Sequence, residues 1–303
     1  MPPGQTAVGT SGAKASLSHI DRILKIFVHN CGVTKIRITG GEPTIHPNFP
    51  DYVHMLSSLP LTDRAITTNG VLFQRMKEIS KFFNRINVSL DTLDRDKFPL
   101  ISNRKPDVFD NVLRSIEILA GSSAIIKINT VVMRGINDDE LENILRFFEN
   151  FPNITVRFIE LMPFNGNGTA NRLFVSKEEI LKKFGDDVLE IPSNDKSSSS
   201  GNHMYAFPNR QPFGIISSMT DAFCGSCNRI RLTSDGKLRN CLFSDSDTET
   251  DLVSLIERGC SDDEIERAIR DNVSRKFFSH GGKPANDLWS HTHRNRSMIS
   301  LGG

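Results

Sequence analysis

Three cysteines, Cys224, Cys227 and Cys241, stand in the run F-C-G-S-C-N-R-I-R-L-T-S-D-G-K-L-R-N-C-L-F between Phe223 and Phe243. Only Gly225 and Ser226 separate the first two, so a tight bend turns both sulfurs toward one centre. A strand over Arg229–Thr233 and a turn at Ser234–Gly236 would return Cys241 beside them. This spacing suits metal ligation. Three thiolates do not close a four-coordinate zinc site, which His203 or His280 could complete. A cluster with one iron open to a ligand needs no fourth protein group. The sequence spacing leaves both arrangements open. Five cysteines in 303 residues is an odd count, which argues for a reducing compartment rather than a disulfide framework. Cys31, on the apolar face of a helix, and Cys260, before the capping pair Ser261 and Glu264, read as small buried apolar residues.

A second pattern is basic. Strands of parallel sheets are normally almost continuously apolar, yet those expected here carry Lys35, Arg37, Lys127, Arg157, Arg229 and Arg231. Residues two apart on a strand share a face, so Lys35 with Arg37, and Arg229 with Arg231, form basic pairs. Convergent guanidinium and ammonium groups suit a polyphosphate, and a nucleotide is the expected substrate. Gly40-Gly41-Glu42-Pro43, Thr67-Thr68-Asn69-Gly70 and Ser89 with Asp91 follow or end strands, where the loops of a parallel barrel build its active face.

These residues need a scaffold, and the chain shows one. A helix from Ser18, capped by that residue, carries Ile20, Ile23, Leu24, Phe27, Val28 and Cys31 on one face and stops at Gly32. Strands over Lys35–Thr39, Ala65–Thr68, Arg85–Leu90, Ile125–Met133 and Thr155–Leu161 alternate with helices after Pro50, near Gln74–Phe83, Val108–Ala120 and Asp138–Glu149. That alternation predicts parallel βα units. The fold class expected is an incomplete TIM-type (β/α) barrel missing its first strand, with a carboxyl-terminal α+β domain carrying the metal site. Its divisions are a disordered 1–16, a partial barrel over 17–163 and a second domain over 164–303 with a helix near Ser176–Phe184, a serine-rich surface loop over Ser193–Asn202 and a late helix from Ser261. A net charge of +1 argues against a general nucleic-acid binder. No apolar run is long enough to span a membrane, and residues 1–16 lack the features of a signal or transit peptide.

Taken in order, K-I-R-I-T-G-G-E-P, T-T-N-G, N-V-S-L-D, K-I-N-T-V-V-M-R-G-I-N, V-R-F-I-E-L-M-P-F and F-C-G-S-C-N-R-I-R-L-T resemble the molybdenum cofactor biosynthesis protein A family. Those proteins are GTP 3′,8-cyclases of the radical S-adenosylmethionine superfamily, and the resemblance runs from about Leu17 to Gly303. It implies that Cys224, Cys227 and Cys241 hold a 4Fe-4S cluster whose open iron meets the guanine of GTP. It assigns Arg37, Thr68, Lys127, Arg229, Ile230 and Arg231 to GTP, with Lys35 and Arg157 as further basic positions. Gly41, Ser89 and Met162 match contacts to S-adenosylmethionine, and Gly302-Gly303 matches a tail that reaches the active site. It further implies GTP as the bound partner, a homodimer as one assembly open to the chain, and a cyclic pyranopterin monophosphate synthase as the enzyme acting next. The family's Cys-x3-Cys-x2-Cys motif, which holds a second 4Fe-4S cluster and S-adenosylmethionine, has no counterpart, because no cysteine precedes Cys31. The expectation is a chain that binds one cluster and GTP without generating the radical, through either a shortened gene model or a regulatory form. The compartment stays undetermined, the mitochondrial matrix being an option if the source is eukaryotic.

Overall fold

The structure, a computed structural model, describes residues 15–164, 170–192, 202–283 and 285–289. The expected disordered segment lies outside them except for Ala15 and Ser16, as do the serine-rich run up to Gly201 and the diglycine tail. Helix α1 (Leu17–Lys25) is capped by Ser16, whose hydroxyl accepts from the His19 N–H at 3.2 Å. The expected cap was Ser18. That residue is already helical, and its hydroxyl pairs with that of Ser16 instead. The helix loosens into a π-turn over Ile26–Asn30 and stops at Gly32, whose φ of +71° a glycine adopts without strain.

Alternation then proceeds through β1 (Lys35–Ile38), α2 (Phe49–Ser58), β2 (Asp63–Thr68), α3 (Met76–Phe82), β3 (Arg85–Ser89), α4 (Lys97–Ser102), α5 (Val108–Ala120), β4 (Ile125–Val132), α6 (Leu141–Phe148) and β5 (Ile154–Glu160). Beyond it come the short α7 (Ala170–Leu173), α8 (Lys177–Phe184), β6 (Leu189–Ile191), β7 (Asn202–Ala206) and β8 (Phe213–Ile216). Ser176 and Glu179 close a capping box at the start of α8. All these strands form one sheet in the order β1-β2-β3-β4-β5-β8-β7-β6, open among the described residues, as a partial barrel should be. β8 joins β5 in parallel, a sixth parallel strand that the sequence pattern did not reveal. β7 and β6 continue the sheet antiparallel. β9 (Arg231–Leu232), β10 (Lys237–Arg239) and β11 (Thr250–Asp251) make a small antiparallel sheet, followed by α9 (Leu252–Glu257) and α10 (Asp262–Ser274).

The parallel strands place their main apolar core on one face. Ile66, Ile86, Val88, Ile126, Ile128, Phe158 and Ile215 are fully buried there and pack with Leu56, Ile79, Ile116, Leu119, Ile144 and Phe148 of the covering helices. Burying each such side chain contributes roughly 1.5–3 kcal/mol. The opposite face carries the polar members of each strand, because side chains alternate. A second apolar cluster joins Ile23, Ile26 and Phe27 to Leu238, Leu252, Ile265 and Ile269, so the amino-terminal helix packs on the carboxyl-terminal elements. Arg22 adds a 2.8 Å ion pair to Asp262 and a 2.8 Å bond to the Cys260 carbonyl. Cys31 and Cys260 pack at the rim of this cluster, and burial, then Glu266, pushes the Cys31 thiol up. Among the described residues no helix is long and apolar enough to cross a membrane.

Gly281 shows how tightly the cysteine region is packed. Its φ is +66°, and a Cβ there would meet the Phe243 carbonyl carbon and the Ser244 nitrogen, both at 3.0 Å. Left-handed backbone costs a non-glycine residue roughly 1–2 kcal/mol before any clash with main chain. Gly281→Ala is therefore expected to lower stability by about 2–3 kcal/mol. A shift of the urea midpoint at unchanged slope would register it; a wild-type midpoint would refute it.

Candidate active site

The cysteines are gathered by a hairpin. β9 and β10 pair with Arg231 opposite Arg239, which returns the chain toward Cys241 two residues further on. A 3-10 turn over Cys224–Ser226 precedes it, with the Cys227 N–H bonded to the Cys224 carbonyl at 3.2 Å. Each sulfur already accepts a hydrogen bond. Cys224 receives the His280 N–H at 3.4 Å, Cys241 the Phe243 N–H at 3.4 Å, and Cys227 the Lys276 Nζ at 3.3 Å. Burial raises the Cys224 thiol, with smaller help from the nearby Cys241 and Cys227 and against the lowering by the His280 N–H. Cys227 goes the other way: burial pushes it up, but the Arg229 N–H and the Lys276 ammonium outweigh this and leave it below its ordinary value. Among the described residues no three His, Cys, Asp or Glu side chains close to the spacing of a single metal ion. Neither histidine is available as a fourth ligand. His280 has its ring nitrogens engaged by the Ser218 carbonyl at 2.8 Å and the Ser279 hydroxyl at 3.0 Å. His203 sits between Glu190 and Asp221, each 3.0 Å away.

Beside the thiols lies the basic group. Arg229 stacks over the Phe223 ring, 5.2 Å from its centroid. It stands close enough to Arg37 of β1 that crowding by protein, then Arg229, lowers the Arg37 pKa, although Arg37 still meets solvent in the concave face. Burial, followed by Arg229, brings Arg231 down to about 10. Behind Arg231, Arg239 is fully buried and ion-paired to Glu249. Two regions far apart in sequence thus place like charges together, an arrangement that favours an anion.

The concave face of the sheet extends this group. Register aligns Thr67, Asn87, Lys127 and Thr155 in one row, and Ser89, Asn129, Arg157 and Gly214 in the next. Arg157 is buried and donates from Nε and Nη2 to Asn129 Oδ1 at 2.9 and 2.6 Å, and from Nη2 to Asn87 Oδ1 at 3.0 Å. Asn87 in turn donates to Thr67 Oγ1 at 3.2 Å. The row is held before any ligand arrives.

The carboxyl half, residues 154–281, matches the family "Molybdenum Cofactor Synthesis C", and residues 8–148 match the "Radical SAM superfamily". The chain is 35% identical to the GTP 3′,8-cyclase of Thermodesulfovibrio yellowstonii, over 95% of its own length and 87% of that protein. The chain belongs to the GTP 3′,8-cyclase family. The mitochondrial GTP 3′,8-cyclase of Arabidopsis thaliana is 37% identical over 95% of the chain and 73% of that relative. Molybdenum cofactor biosynthesis protein moc-5 of Caenorhabditis elegans is 36% identical over 92% of the chain, which spans about half, 46%, of that longer protein.

Within this GTP 3′,8-cyclase-family chain the sequence-predicted positions divide. Arg37, Arg229 and Arg231 converge, and Lys127 and Arg157 share the concave face with Lys35. Thr68 does not join them: it is buried on the opposite parity from Thr67, its hydroxyl donating to Glu42 Oε1 at 2.8 Å. The Ile230 side chain packs into the second apolar cluster. Gly41 and Ser89 are exposed at loop and strand ends, and Met162 packs with Cys241, Phe164 and Phe243.

Several residues were not singled out beforehand. Glu42 accepts from Thr44 N and Oγ1, Thr68 Oγ1 and the Asn69 N–H, tying the loops after β1 and β2 together. Glu160, fully buried, accepts from the N–H groups of Lys177, Met219 and Thr220 and from the Thr220 hydroxyl. It anchors the segment that leads into Cys224. A carboxylate at the polar end of an apolar strand is the one signal that could have flagged it.

Proposed function

We propose that this chain binds GTP and an iron-sulfur cluster as a GTP 3′,8-cyclase-family protein acting in molybdopterin biosynthesis. The observation that carries the reading is the proximity of Arg37, Arg229 and Arg231 to one another and to the neighbouring thiols of Cys224, Cys227 and Cys241. The donor set fits an iron-sulfur cluster: three thiols, each with an N–H donor, and neither His203 nor His280 with a ring nitrogen left to close a zinc site. A cluster spreads its thiolates further apart than a single ion does. Cys224, Cys227 and Cys241 would hold it, and when bound it offers an open iron to the guanine. Arg37, Arg229 and Arg231 would bind the triphosphate, their mutual repulsion being relieved by its charge. Lys127 and the Arg157–Asn129–Asn87 row would fix the ribose end, pre-ordered by their own hydrogen bonds. These contacts would hold the sugar and the base, whose C3′ and C8 are the atoms the cyclisation joins. The small residues Gly41 and Ser89, with Met162, would line the place of S-adenosylmethionine.

The 303 residues contain no cysteine before Cys31, whose side chain packs with apolar neighbours. After anaerobic reconstitution the chain is expected to retain about four irons, one cluster's worth, and to bind GTP. It is expected to release no 5′-deoxyadenosine from S-adenosylmethionine. A chain without iron or GTP affinity would overturn the reading, and cleavage of S-adenosylmethionine would overturn its second half. Binding without turnover is also what a regulatory form acting beside a complete enzyme would display.

A further inference from the structure

Lys276 lies two residues beyond the end of α10, in an exposed stretch. Its neighbours are ordered against hydrophobicity: Phe277 and Phe278 are 55% and 83% exposed, while the lysine between them and Arg275 turns inward and is half-buried. A lysine normally keeps its ammonium in water, so this inversion needs a strong local partner. It has three. Nζ donates to the Cys227 carbonyl at 2.8 Å, the Arg229 carbonyl at 2.9 Å and Cys227 Sγ at 3.3 Å, which uses all three ammonium protons. Among the described residues no carboxylate is its hydrogen-bond partner, so its charge is not cancelled there. The other two cysteine sulfurs accept only main-chain N–H groups in the hydrogen bonds described above.

We infer that Lys276 is a positioning residue for the cysteine site: its ammonium holds the Cys227–Arg229 loop and makes a cluster bound there easier to reduce. The inference rests on the reading that the three cysteines hold a cluster. Reduction adds negative charge, much of it on sulfur, and a cation hydrogen-bonded to one sulfur stabilises the reduced form. The effect falls on one corner of the site, the corner whose loop also carries Arg229.

The test is a redox titration of the reconstituted chain, followed by electron paramagnetic resonance, for wild type, K276M, K276Q and K276R. Iron and sulfide are measured on each sample, with thermal unfolding as a control for the fold. K276M is expected to shift the midpoint to more negative potential, K276Q to shift it less, and K276R to lie near wild type. A merely structural lysine would alter iron retention but not the potential of the molecules that keep their cluster. A loaded K276M at the wild-type potential would therefore overturn this inference alone. Should K276M retain no iron, the other two decide: K276Q below K276R supports it, and equal potentials refute it. A wild-type chain without iron and sulfide would overturn the cluster reading, and this inference with it.

Discussion

Cys241→Ala is expected to abolish retention of iron and sulfide in the reconstituted chain while leaving the fold intact. Cys227 and Cys241 lie near enough to Cys224 to raise its thiol, and neither His203 nor His280 has a free ring nitrogen to take the place of a lost one. Two remaining ligands would leave a cluster open to solvent on half its irons, and it would be shed on desalting. Cys241 is the sharpest position for this test. It arrives from the far strand of the β9–β10 hairpin and packs against Phe164, Met219, Phe243 and Leu288. Truncating this half-buried side chain should cost about 1 kcal/mol in stability. Iron and sulfide analysis, with circular dichroism as the fold control, reads the outcome. A variant that keeps its full iron content would remove Cys241 from the ligand set.

Arg231→Ala should weaken GTP binding roughly 30- to 1000-fold, the equivalent of about 2–4 kcal/mol for an enclosed charge pair that loses one partner. Its environment explains why. Burial, then Arg229, holds the guanidinium down to about 10, so the folded protein carries it at a cost when no anion is present. Because the folded value lies below the unfolded one, that cost is fully present below about pH 10 and fades as pH rises toward the unfolded value. The variant should thus be at least as stable as wild type without ligand, yet bind GTP poorly. Titration calorimetry at two ionic strengths would read both affinity and its screening. Wild-type affinity in a folded variant would place the triphosphate elsewhere.

The alternation of strands and helices was legible because it depends on local patterning. Val108–Ala120 forms the helix that its apolar spacing predicts, and Ser261 and Glu264 form their capping box. β8 was not legible. Phe213–Ile216 is a four-residue apolar run outside the βα rhythm, and nothing in its own sequence says that it pairs with β5. The helix start at Ser16 rather than Ser18 turned on which of two neighbouring serines had the extended backbone that lets a hydroxyl reach a free N–H.

The site divides along the same line. Spacing alone drew Cys224, Cys227 and Cys241 together, because a tight turn and a hairpin act within twenty residues of chain. Strand parity put Lys35 with Arg37, a matter of alternation. The meeting of Arg37 with Arg229 was beyond local reasoning, since the two residues lie far apart in the chain and only the fold brings them near. The same holds for Thr67 rather than Thr68 on the concave face, for Glu160 beneath the cysteine segment, and for Lys276 turning inward between exposed neighbours. By itself the sequence determined which residues could bind metal and anion, because residue type and short-range periodicity are local properties. Only the tertiary structure decided which of them share one site and which are held elsewhere. That choice is made by burial and hydrogen-bond satisfaction across long stretches of chain, which no single segment records.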